Sequence, residues 1–153
     1  MKIKFLFPVV ALSAMVACNQ AAKEGENSNT ATQEQSKDAN SEQKPGVYFV
    51  NIKDGATVKS PVYVQMGVRG KDVEPAGELH EGKGHHHIII DGESVEQGTM
   101  VPKDETHIHY GKGQTSDSLK LSPGSHTLTL QFANGMHQSY GKDWSNTISI
   151  IVE

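Results

Sequence analysis

The chain has 153 residues, of which 14 are basic and 18 acidic, so its formal net charge is -4. This balance disfavours a nucleic-acid-binding protein, because such proteins need a basic face to displace the counterions of the phosphate backbone. The single cysteine excludes an intramolecular disulfide. The length predicts one folded domain, and the shortage of hydrophobic residues is concentrated in one polar stretch near the N-terminus.

The first 17 residues have the features of a lipoprotein signal peptide. Two lysines precede an apolar run from Phe5 to Val16, which is too short for a membrane-spanning helix of about 20 residues. The run Met15-Val16-Ala17-Cys18 resembles the bacterial lipobox, which implies that Cys18 is lipidated and becomes the mature N-terminus. The alternative is an ordinary cleaved signal followed by an incidental cysteine. We expect an exported protein that lipid on Cys18 anchors in a membrane, facing the periplasm or the cell surface.

The next segment, residues 18–44, is predicted to be a disordered tether. After Cys18 its only apolar residue type is alanine, so it cannot bury enough surface to offset the entropy lost on ordering. From residue 45 the composition changes to short apolar runs separated by Gly, Pro, Asn and Asp. We therefore expect residues 45–153 to form a single folded domain.

Apolar residues alternate with polar ones along several short runs of this domain, which is typical of half-buried strands. The predicted strands are Val47–Ile52, Val62–Val68, His85–Asp91, Ser118–Leu121, Thr127–Phe132 and Thr147–Val152. No stretch predicts a helix of ten residues. The pattern predicts an all-β fold, a single antiparallel immunoglobulin-like β-sandwich of about 6–7 strands. The clean alternation argues against a parallel sheet.

All eight histidines lie in the predicted domain, and three of them are consecutive. On a strand, His85 and His87 point to one face, whereas His86, Ile88 and Ile90 point to the other. The second set is more apolar, so we assign it to the core and expect His86 to be buried and hydrogen-bonded.

A second histidine pair has the same spacing, with His107 and His109 on either side of Ile108. Neutral imidazole is the commonest metal ligand, zinc takes four ligands, and copper also accepts nitrogen. One sequence does not show whether the two histidine pairs are neighbours in the fold. The alternative is that the histidines are structural or respond only to pH. The candidate ligands for Cu(II) or Zn(II) are His85, His87, His107, His109 and, as a further candidate, His137.

No catalytic motif is recognised in the sequence. It contains neither a Gly-x-Ser-x-Gly elbow nor a phosphate-binding Gly-x-x-x-x-Gly-Lys-Ser/Thr loop. We therefore expect a non-catalytic binding module of the cell envelope whose histidine-rich face binds a metal ion. The alternative is a metal-free module that binds an envelope protein or glycan.

Five motifs in this order resemble one known family. They are Lys53–Val58, Gly84–His87, His107–Thr115, Pro123–Leu128 and His137–Gly141. The set resembles the bacterial exported proteins grouped as domain of unknown function family 4399, and the similarity covers nearly the whole predicted domain. The resemblance implies a small bacterial envelope protein, and it implies neither an activity nor a set of ligands.

Overall fold

The computed structural model describes residues 44–153. The predicted signal peptide, Cys18 and nearly all of the predicted tether lie outside these residues. Within them the chain forms nine β-strands and one 3₁₀ turn at Lys142–Trp144, and no α-helix, as the all-β prediction requires. None of the described residues form a helix with the length and hydrophobicity needed to cross a bilayer. The strands are β1 Gly46–Phe49, β2 Ala56–Val58, β3 Val62–Arg69, β4 Asp72–Val73, β5 Lys83–Ile90, β6 His107–His109, β7 Ser116–Leu119, β8 Gly124–Ala133 and β9 Ser145–Val152.

The strands form two sheets. The smaller sheet is antiparallel and has the order β1-β3-β7. The larger sheet has the order β2-β9-β8-β5-β4, and β6 pairs with the C-terminal half of β5. Two short pairs, β2 with β9 and β4 with β5, are parallel, so the expectation of a purely antiparallel fold is wrong there. Strands of two or three residues are too short to carry the alternation that predicts a strand.

The hydrophobic core is a single cluster of side chains contributed by both sheets. Val64 of the smaller sheet and Ile88, Leu130 and Ile150 of the larger sheet are almost completely buried in it. Alternate residues of a strand share one face, so the alternation seen in the sequence marks the face turned toward this core. Complete burial of each such side chain contributes about 1.5–3 kcal/mol to folding.

The opposite face of β5 and β8 is also sheltered from water. Gln131 is fully buried there, and its Oε1 accepts the Val95 N–H at 3.0 Å while its Nε2 donates to the Gly141 carbonyl at 3.2 Å. The Thr129 hydroxyl donates to the Gly92 carbonyl at 2.7 Å. These polar side chains hold the loops after β5 and β8 against the sheet. Side chains of β5 are therefore buried on both faces.

Candidate metal centre

Four imidazole rings meet on the face of β5 that is turned away from the core. His85 and His87 come from β5, His109 from β6 and His137 from the loop after β8. Five of the six ring pairs have centroids 4.7–5.0 Å apart, and His87 and His137 are 6.2 Å apart. We call these residues the four-histidine cluster. The structure thus brings together four of the five histidines proposed as metal ligands from the sequence.

Within the cluster, the ring nitrogens face one another in two close pairs. Nε2 of His87 lies 3.1 Å from Nε2 of His85, and Nε2 of His137 lies 3.1 Å from Nε2 of His109. One nitrogen from each of His85, His109 and His137 lies within 4.8 Å of the others. Without a metal ion, each close pair requires one ring to donate N–H and the other to accept it.

Strand register explains how three of the four rings meet. In the antiparallel pair of β5 and β6, His87 lies directly opposite His109, and Ile88 lies opposite Ile108. Directly opposed residues have Cβ atoms about 4.5–5.5 Å apart, which brings their side chains into contact. His85 is two residues before His87 and therefore lies on the same face.

The fourth ring is held by a tight turn after β8. His137 has φ +66°, a left-handed conformation that is uncommon for a residue with a side chain. The Asn134 side-chain oxygen accepts the N–H groups of Met136 at 2.9 Å and Gln138 at 3.0 Å. The His137 N–H donates to the Asn134 carbonyl, and the His137 carbonyl accepts the Val101 N–H, both at 2.9 Å. These bonds fix the backbone that directs the ring into the cluster.

Gly111 leaves room for the His109 ring. A Cβ atom at this position would overlap Cε1 and Nε2 of His109. Gly111 does not have a positive φ, so the glycine is needed for space and not for its conformation. The sequence pattern does not assign this role to Gly111, although the glycine stands two positions after a candidate ligand.

Burial keeps His85 and His87 uncharged at neutral pH. His85 and His87 are 0% and 1% exposed, and burial, reinforced by the neighbouring imidazoles, lowers the pKa of His85 to about 4 and that of His87 to about 2. Burial also lowers the pKa of His109, with a further contribution from His137 and Lys103. Metal ions bind the neutral form of imidazole, so these rings are in the metal-binding form at neutral pH.

The structure does not bring His107 into the cluster. Its Nδ1 lies 2.8 Å from the Oδ1 atom of Asp104 and 3.2 Å from the Thr106 hydroxyl. The same Asp104 oxygen accepts the backbone N–H groups of Thr106 at 2.9 Å and His107 at 3.0 Å. His107 is the first residue of β6, and the turn before the strand holds its ring.

His86 is buried, as predicted from strand parity, but the expectation that it is hydrogen-bonded is wrong. Neither ring nitrogen has a partner, and the ring packs edge-on against Phe132 with centroids 5.1 Å apart. The surroundings on this face are the apolar core, which offers the ring nothing to bond. Burial lowers the pKa of His86 to about 4.

His126 links the turn before β8 to the turn after β5, at one end of these two interior strands. Its Nδ1 lies 2.8 Å from Asp91 Oδ2, and its Nε2 lies 3.0 Å from the carbonyl oxygen and 3.3 Å from the hydroxyl of Ser122. A carbonyl oxygen can only accept, so Nε2 carries a proton and is not a base toward the hydroxyl. The bond to Asp91 raises the pKa of His126, so this contact favours the protonated ring.

Fold and site together define a class, an all-β domain with a partly buried cluster of four histidines. The family model described as domain of unknown function (DUF4399) matches residues 64–153, a range that includes the whole cluster. The chain therefore belongs to this family, which confirms the resemblance drawn from its motifs. Neither the curated proteins nor the solved structures contain a match to the chain.

Proposed function

We propose that this domain binds one Cu(II) or Zn(II) ion through the four-histidine cluster. The observation that carries the proposal is the pair of Nε2–Nε2 distances of 3.1 Å. With metal–nitrogen bonds of about 2.0–2.1 Å, two neighbouring ligands lie roughly 3.3 Å apart in a tetrahedral site and roughly 2.8 Å apart in a square-planar one. Each pair already has the separation that two ligands of one ion require.

The chemistry of the donors supports the same proposal. Imidazole nitrogen suits both zinc and copper, and four neutral donors match the coordination number that these ions commonly take. The Nδ1 atoms of His85 and His87 are buried without a hydrogen-bond partner. When Nε2 coordinates a metal ion, Nδ1 carries the proton of the neutral ring and stays unpaired, so the metal–nitrogen bonds must exceed a cost of about 1–3 kcal/mol for each such group.

A spectroscopic experiment on the copper form tests the ligand set. We expect electron paramagnetic resonance of the chain with one equivalent of Cu(II) to show hyperfine coupling to several imidazole nitrogens. Replacing His87 and His109 together by Ala should abolish this signal and leave the far-ultraviolet circular dichroism unchanged. His107→Ala is the matched control, because this histidine lies on the same strand as His109 but bonds Asp104. Unchanged coupling in the double variant would exclude His87 and His109 as ligands.

We also propose that the two sheets form an immunoglobulin-type sandwich. The order β1-β3-β7 corresponds to strands A, B and E of that fold, and the order β9-β8-β5-β6 corresponds to G, F, C and C′. The shared core supports packing of one sheet on the other. An experimental structure with the two strand directions inclined at about 30° tests this assignment.

The sequence upstream of the domain supports the proposal that the protein is a lipoprotein of the bacterial envelope. We expect Cys18 to be acylated and residues 1–17 to be removed, so that the metal-binding domain is exported on a tether. Metabolic labelling with an alkyne fatty acid should mark the wild-type chain in the membrane fraction, and Cys18→Ala should lose both label and membrane association. A labelled Cys18→Ala chain would contradict the proposal.

A second candidate function is the binding of an envelope glycan or protein without metal. It rests on an open surface cavity of about 450 Å³ whose lining includes Asp91, Glu93, Thr127 and Lys142 and none of the cluster histidines. Carboxylates, hydroxyls and an amine suit a polar ligand that makes many hydrogen bonds. Titration with soluble peptidoglycan fragments, followed by NMR shifts at Thr127 and Lys142, tests the glycan form of this candidate, and the absence of shifts would exclude peptidoglycan as the ligand.

A further inference from the structure

We infer that the four-histidine cluster is a metal-exchange site, an inference that rests on the proposed metal binding. In this scheme a second molecule with nitrogen or sulfur donors takes the metal ion directly from the domain. The donors of that molecule replace His109 and His137, while His85 and His87 still hold the ion. The metal then passes between two sets of ligands and is not released into water.

The burial of the cluster divides it into an inner and an outer pair. His85 and His87 are 0% and 1% exposed, whereas His109 and His137 are both half-buried. The two contacts of 3.1 Å follow the same division, since one joins the inner pair and the other joins the outer pair. An incoming ligand therefore meets the outer pair first, and the inner pair keeps two donors on the ion during replacement.

The backbone of the inner pair is held by more neighbouring strands than the backbone of the outer pair. The inner pair lies on β5, which is paired with β8 on one side and with β4 and β6 on the other. The outer pair comes from the three-residue strand β6 and from a turn. Rotation of the two outer side chains opens the site without breaking the central strand.

Two methionines are backbone neighbours of the segment that carries His137. Met136 precedes His137 in the chain, and Met100 forms a backbone bridge with Gln138, which follows His137. These two side chains are 52% and 64% exposed and are among the most exposed large hydrophobic residues of the described part. A thioether is a soft ligand of the kind that copper and zinc sites use, so these methionines offer further donors near His137.

The rate law of metal removal tests the inference. The full chain is loaded with one equivalent of Zn(II) and mixed in a stopped-flow instrument with increasing excess of the coloured chelator 4-(2-pyridylazo)resorcinol. Direct exchange predicts that the observed rate constant rises in proportion to chelator concentration. A rate constant that does not depend on chelator concentration would show dissociation before capture and would overturn the inference.

Variants separate the two pairs and distinguish this inference from the proposed function. His137→Ala removes one outer ligand and should raise the chelator-dependent transfer rate constant about tenfold or more, because one of the two bonds that the chelator must replace is already absent and the barrier is lower. His107→Ala should leave the rate constant unchanged. Wild-type protein that takes up no metal would end both proposals, whereas uptake followed by chelator-independent release would end only the exchange mechanism. If His137→Ala binds no metal, the dependence of the wild-type rate constant on chelator concentration still tests direct exchange.

Discussion

His87 and His109 are direct cross-strand partners of β5 and β6, and their ring centroids lie 5.0 Å apart. Their neighbours Ile88 and Ile108 are opposed in the same register on the other face, where both contact the core. A slip of one residue would exchange the two faces, so burial of the isoleucines also specifies the register that joins the histidines. The hydrophobic core therefore determines the geometry of the polar cluster.

Gly111→Ala should damage the cluster with little effect on the fold. The new Cβ would overlap the His109 ring and force it to move, while the backbone conformation at this position is open to alanine. We expect metal affinity to fall about tenfold, which corresponds to about 1.4 kcal/mol, and the midpoint of thermal unfolding to change little. Calorimetry and thermal unfolding measure the two quantities.

Lys112→Ala, at the exposed neighbouring position, is the control for this change. It should leave both metal affinity and unfolding unaltered. Wild-type affinity in Gly111→Ala would show that the His109 ring is not held where the ion binds.

The alternation of side chains between the two faces of a strand predicted much of this architecture. The alternation in β3, β8 and β9 correctly marked the core face, and the same rule placed His85 and His87 together on the opposite face of β5. The assembly of the four rings could not be predicted, because it depends on which strands are neighbours. One sequence records the faces of each strand but not the order of strands in the sheet.

The alternation of side chains along a strand did not predict where the rings of His107 and His137 lie. His107 is two residues from His109, yet its ring bonds Asp104, because the strand begins at His107 and the preceding turn competes for the side chain. His137 is placed by a left-handed turn that Asn134 stabilises. Nothing local in the sequence predicts the direction in which the fourth residue of this turn points.

His86→Leu should stabilise the protein. Both ring nitrogens of His86 are buried without a partner against Phe132, and leaving such groups unpaired costs about 1–3 kcal/mol. Leucine is apolar and fits the surroundings, so we expect the free energy of unfolding to rise by about 1 kcal/mol or more. Urea unfolding at neutral pH measures the change. Metal affinity should not change, because His86 faces away from the cluster, and clear destabilisation would show that a partner of His86 exists.

Acid should destabilise the metal-free protein over a defined range of pH. The pKa values of His85 and His86 are about 4 in the folded protein, compared with the ordinary value of 6.5. Between these values the unfolded chain binds more protons, so the free energy of unfolding falls as pH decreases through this window. Each histidine contributes a slope of up to about 1.4 kcal/mol per pH unit.

Urea unfolding of chelator-treated protein above, within and below this window measures the dependence. His86→Leu removes one of the contributing groups, so its stability should fall less steeply with acid than that of the wild type. A free energy of unfolding that is flat between pH 6.5 and 4 would contradict burial of neutral histidines.

The pair of His126 and Asp91 should have the opposite pH dependence. The bond to Asp91 raises the pKa of His126 above its ordinary value of 6.5. The pair therefore stabilises the protein fully below pH 6.5, and this contribution is lost as pH rises through the raised pKa. A double-mutant cycle with alanine at both positions should give a coupling of about 1 kcal/mol at acidic pH and less at alkaline pH. Equal coupling at both would show that no charge is involved.

Calorimetric titration of the chelator-treated chain with Cu(II) and Zn(II), combined with thermal unfolding, decides whether the four-histidine cluster binds metal. We expect one equivalent of at least one ion to bind with submicromolar affinity. At a hundredfold excess over the dissociation constant, binding to the native state alone stabilises it by about 2.7 kcal/mol. The absence of both heat and a rise in unfolding temperature would show that the four imidazoles meet for structural reasons and that no metal ion belongs there.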